Sequence, residues 1–122
     1  MVKRESLQYY RTLRNLAARF NTAHHMPKVL LYITARITWI FLFYGTDFYE
    51  NRAHVHIAKR GMEHPCKIWL EPEISVADMG DLTQAQINEL LPIVTKCQKR
   101  LLQQWNSFKR GEQVKIRTIK SE

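Results

Sequence analysis

Ile37 to Tyr44 reads Ile-Thr-Trp-Ile-Phe-Leu-Phe-Tyr, eight residues without a charge. β-Branched and aromatic side chains dominate it, and these suit a pleated surface. Its near-continuous apolarity marks a strand covered on both faces. Other elements must therefore pack above and below it. A chain of 122 residues can supply that cover from a single core.

The surrounding pattern is mostly strand. Pro27 to Ile33 is a short apolar run. Gly45-Thr46-Asp47 is a break by composition. Arg52 to Ala58 and Cys66 to Leu70 then alternate, separated by a loop with Gly61 at the reversal. Pro72 ends the second of these or confines it to an edge, and Ile74–Ala77 adds an edge strand. Leu82-Thr83-Gln84-Ala85-Gln86-Ile87 opens a helix, with Thr83 and Gln86 at capping-box spacing and Leu82 and Ile87 at the staple positions. Apolar residues recur helically from Ile87 to Phe108. Pro92 inside that run predicts a kink or a restart, and Gly111 a stop. Val114 to Ile119 alternates again and returns as a last strand. Residues 5–20 read as an amphipathic helix. The expected architecture is α+β: a small antiparallel sheet of four to five strands, a long kinked C-terminal helix and an added N-terminal helix. Residues 1–25 form a helical extension and 26–122 a single domain.

Charge is unevenly placed. The net charge is +8, with +4 on residues 1–25, −1 on 26–82 and +5 on 83–122. Basic ends favour an acidic partner, nucleic acid or protein; the plain alternative is a solvated surface that keeps the chain soluble. The N-terminus has no apolar stretch of the secretory kind, and the run from Val29 to Tyr44 is too short for a membrane span and interrupted by Arg36. Cys66 and Cys97 make neither a disulfide framework nor a metal motif. Free thiols in a reducing cytoplasm fit them, and no membrane is expected.

The chemistry concentrates in Arg52-Ala53-His54-Val55-His56-Ile57. On a strand, His54 and His56 share one face, their imidazoles roughly 6–7 Å apart at about 3.3 Å per residue. Three uses compete. Two imidazoles start a metal site, but zinc needs a third ligand and usually a fourth; Glu50, Glu71, Glu73, Asp78 and His64 stand at no diagnostic spacing. As base and acid, His54 and His56 suit metal-free cleavage of RNA, with Arg52 or Lys67 stabilising the charge. Alternatively both rings are structural. If the two alternating strands form a hairpin, Lys67 and Trp69 share the histidines' face. Trp69 is then a base-stacking group or simply core. Lys96, Lys99, Arg100, Lys109 and Arg110 make a basic run on the C-terminal helix, joined by Lys115 and Arg117. They track a phosphate backbone or form the wet face of the helix. No Gly-rich phosphate loop, nucleophile elbow or paired carboxylates occur, and no cofactor or metal is assigned.

Met26-Pro27-Lys28-Val29-Leu30, Phe41-Leu42-Phe43-Tyr44, Arg52-Ala53-His54-Val55-His56, Lys67-Ile68-Trp69-Leu70-Glu71-Pro72, the Leu82–Gln86 helix start and Leu101-Leu102-Gln103-Gln104-Trp105-Asn106 follow in that order. The series resembles the small bacterial family catalogued as domain of unknown function 4160. Members usually carry two prolines where Arg52-Ala53 stands here. The resemblance implies a compact α+β domain, often encoded beside a second small protein in toxin–antitoxin-like pairs. It brings His54, His56, Lys67 and Trp69 as motif positions and no catalytic role. The leading expectation is a cytoplasmic component of such a two-protein module that binds RNA or cleaves it with the histidine pair. In that reading, the partner is a small protein encoded by the neighbouring gene. The alternatives are a non-enzymatic protein that binds an acidic partner, and a metal-binding module.

Overall fold

The computed structural model describes residues 27–121; the expected N-terminal helix and linker lie outside that range. The strands are β1 (Lys28–Ile33), β2 (Thr38–Leu42), β3 (His54–Ala58), β4 (Cys66–Trp69), β5 (Ser75–Asp78) and β6 (Arg117–Lys120). A short 3-10 helix (Gly45–Tyr49) links β2 to β3, and one long helix, α1 (Gln84–Lys109), links β5 to β6.

All six strands belong to one sheet in the order β5-β4-β3-β2-β1-β6. β1 to β5 pair antiparallel with their sequence neighbours. β6 instead pairs in parallel with β1, Leu30 opposite Arg117 and Tyr32 opposite Ile119. The sheet is thus mixed and has six strands, against the four to five antiparallel strands expected. Alternation identifies a strand but not its neighbour. The helix decides that here: β5 and β6 are opposite edges, so α1 carries the chain across the sheet's whole width and delivers the tail to β1.

Leu30, Trp39, Phe41, Ile57 and Ile68 of the strands join Ile87, Leu90, Val94 and Leu101 of α1 in one buried core. Burial of each large apolar side chain contributes about 1.5–3 kcal/mol. β2 is covered fully on one face only: Trp39 and Phe41 are buried, while on the other face Thr38 is exposed and Ile40 half-buried beside an open depression, against the cover on both faces expected.

The helix ends are set locally. Thr83 Oγ1 accepts the Gln86 N–H at 3.2 Å and Gln86 Oε1 accepts the Thr83 N–H at 2.9 Å, the reciprocal cap read from the sequence. Gly111 has φ +75°. Its N–H reaches Phe108 O, and the Glu112 N–H reaches Ser107 O, each at 3.0 Å, closing a Schellman motif. No restart occurs at Pro92, because α1 runs through it. Pro92 and Asn88 are both exposed, so the carbonyl that loses its amide donor turns to water, while the buried stripe on the opposite face stays continuous. No helix among the described residues is long and apolar enough to cross a membrane.

Candidate functional site

β3 and β4 form the expected hairpin. His54 stands opposite Trp69 and His56 opposite Lys67, so the four side chains share a face. The residue that organises them is Asp47, from the 3-10 helix. Its own amide donates to Tyr44 O at 2.9 Å, and its Oδ2 accepts the Tyr44 N–H at 2.7 Å. This double tie fixes the turn and aims the carboxyl inward. Oδ1 then lies 3.0 Å from His54 Nε2, and Oδ2 lies 3.2 Å from His56 Nε2. All three residues are buried.

The sequence offered one hint of Asp47, an aspartate in a compositional break. Nothing in that spacing says its side chain turns toward a strand seven residues on. The carboxylates weighed as partners do other work or stand elsewhere: Glu50 pairs with Lys67 at 3.2 Å. His64 pairs with Asp81 at 3.3 Å on the surface.

Burial alone would push the Asp47 carboxyl up. The imidazoles of His54 and His56, set directly against it, outweigh burial and hold Asp47 far below the usual carboxylate range. Burial, and then the negative charge of Asp47, push the Tyr44 phenol up. The Tyr44 ring lies against His56, centroids 4.3 Å apart.

His54 does not project into solvent with His56 as an acid–base pair requires. Its exposure is 0%. Trp105 of α1, Trp69 and His56 enclose its ring at 4.9, 5.6 and 5.2 Å between centroids. The period of a strand puts both rings on one face, but covering groups come from elsewhere in the chain. A phosphodiester reaches only the His56 edge, whose side chain is 11% exposed. The two proposed phosphate-holding cations converge on Trp69: the Arg52 guanidinium lies 4.1 Å and Lys67 Nζ 4.5 Å from its ring centroid. Arg52 Nε also donates to Glu71 O at 2.8 Å.

The basic residues divide into two groups. Lys109 turns inward and donates to Phe48 O and Glu50 O, each at 2.6 Å, clasping the loop that carries Asp47. Arg110 is tied to Glu112 at 2.8 and 3.0 Å. Trp69 sits in the histidine hairpin. The other five, Lys96, Lys99, Arg100, Lys115 and Arg117, line two depressions between α1 and the tail that share Arg100 and Gln103. Among the described residues, no carboxylate contributes to either lining.

Fold and site together define a small basic α+β protein with an Asp–His–His cluster closed in against its sheet and a cationic furrow beside its last strand. A family model described as Domain of unknown function (DUF4160) matches residues 38–106, and the chain belongs to that family. The match runs from β2 into the last turns of α1 and includes Asp47, His54 and His56. Neither a curated protein nor a solved structure matches the chain.

Proposed function

We propose that this protein binds the phosphate backbone of RNA along the furrow between α1 and β6, as one member of a two-protein module of the toxin–antitoxin kind. The carrying observation is that Lys96, Lys99, Arg100, Lys115 and Arg117 line two adjoining depressions that form one furrow, to which no carboxylate among the described residues contributes. Clustered cations without compensating acids attract a polyanion and release its counterions. Gln103, Gln104, Ser107 and Gln113 in the same lining add neutral groups able to donate to phosphate oxygens. The module itself rests on the family resemblance.

The role is binding, with the histidine pair outside it. Metal-free cleavage needs both an acid and a base at the substrate, and His54 is closed off. Fluorescence anisotropy with a labelled single-stranded RNA tests the reading. Saturable binding is expected at moderate salt, and Arg100→Glu with Lys115→Glu should abolish it. Absence of RNA binding by the native chain, together with a stable complex with an acidic protein encoded beside it, would make the furrow a protein interface instead.

A further inference from the structure

We infer that Asp47, His54 and His56 form a binding site for one divalent transition-metal ion of the zinc class. Among the described residues this is the one group of three potential ligands, with a donor atom from each all within 4.8 Å of one another. Two imidazoles and a carboxylate are the donor set that zinc and its neighbours in the first transition row accept. Bonds of about 2.0–2.2 Å in a tetrahedral arrangement separate the ligand atoms by roughly 3.3–3.5 Å. The carboxylate oxygens already stand 3.0 and 3.2 Å from the two ring nitrogens, and all three donor atoms lie within 4.8 Å of one another, so a modest closing of the cluster admits the ion.

The independent observation is His54 itself. Its Nδ1 lies 2.9 Å from Arg52 O. A carbonyl only accepts, so Nδ1 donates to it and Nε2 is the ring nitrogen turned toward Asp47. That Nε2 is fully buried and has no hydrogen-bond partner. It approaches Asp47 Oδ1 at 3.0 Å, but off the line a hydrogen bond requires. A buried ring nitrogen and a carboxylate oxygen this close, with no hydrogen bond joining them, are both open to a shared cation, and an ion between them completes each. The outer contacts are those of metal ligands: a backbone carbonyl orients His54, and the Tyr44 amide holds the far oxygen of Asp47 at 2.7 Å. Three protein donors leave a further coordination position. His56 is the one ligand that reaches solvent, and the position opens there.

Calorimetric titration of Zn²⁺ into the untagged full chain, first stripped with a chelator, tests this. One saturable site per chain is expected, with a higher Tm in the loaded protein. Asp47→Asn and His56→Ala should each weaken zinc affinity by at least about tenfold, while His64→Ala, which removes the exposed surface imidazole, should leave it unchanged. If a variant is too unstable to titrate, the visible absorption of Co²⁺ added to the native chain supplies the same answer, with intense d–d bands expected from four-coordinate nitrogen and oxygen donors. No saturable zinc binding by the folded native chain would overturn the assignment. So would zinc binding that survives in both variants, or that is lost in His64→Ala.

Discussion

Asp47 Oδ1 stands 3.0 Å from His54 Nε2, and the contact ties the turn after β2 to the first residue of the central strand β3. The same carboxylate holds the Tyr44 amide and faces His56. Without it, two buried imidazoles and a backbone N–H lose their counterpart together. Removing one partner of a buried charged pair typically costs about 3–5 kcal/mol. Asp47→Ala should destabilise the metal-free chain by that amount in urea denaturation. A loss below about 1 kcal/mol would mean that the cluster contributes little to folding.

Acid should act through the same residue. Because the folded protein holds the Asp47 carboxyl below its ordinary value of 3.8, the unfolded chain takes up a proton at a pH where the native one does not. The stabilisation is complete above the unfolded value and drains as pH falls from about 5 toward the folded one. Denaturation midpoints of chelator-treated protein should therefore fall across that range. In Asp47→Asn the acid limb should be shallower. An unchanged limb would show that other groups control acid stability.

The parts of the fold that depend on neighbouring residues were legible in the sequence. Thr83 and Gln86 announced the helix start, Gly111 its end, and alternation announced His54 and His56 on one face with Trp69 and Lys67. What escaped depends on distant partners. The parallel pairing of Leu30 with Arg117 follows from the path of α1. The sealing of His54 follows from Trp105, 51 positions later in the chain. The inward turn of Lys109 depends on the Phe48 and Glu50 carbonyls, which no charge count on a helix face reveals. Asp47 became visible as a site residue only when its turn folded over β3.

Pro92 gives a substitution of opposite sign. It lies inside α1 and is exposed, where it removes one helical hydrogen bond and buries little in return. Proline in a helix interior costs up to about 3 kcal/mol relative to alanine. Pro92→Ala should raise stability by about 1–3 kcal/mol, seen as a higher Tm with an unchanged far-ultraviolet spectrum at low temperature. A lower Tm would reveal that the proline shapes the helix's path over the sheet.

Gly80 lies on the turn into α1 with φ +58°, and a Cβ there would collide with His64 O and stand 2.7 Å from the Pro65 carbonyl carbon. Backbone cannot swing aside as a flexible side chain does. The Asp81 N–H also donates to His64 O, so displacement breaks the link between the β3–β4 loop and the helix start. Gly80→Ala should cost at least about 2 kcal/mol by denaturant titration. A near-neutral result would require a different path for residues 78–82.

RNA binding along the furrow carries a salt signature that distinguishes it from recognition by a few neutral contacts. Each phosphate neutralised on a single strand contributes about 0.7 to the slope of log affinity against log salt. Replacing Lys96, Lys99 and Arg100 together by alanine should weaken binding and flatten the slope by about 2. Arg110 differs from them because Glu112 already holds its guanidinium. Arg110→Ala should leave both affinity and slope nearly unaltered, although it lies on the same basic run of sequence. Anisotropy titrations at four or five salt concentrations decide the matter. An equal effect of the triple substitution and of Arg110→Ala would assign attraction to overall charge and remove the furrow's special role.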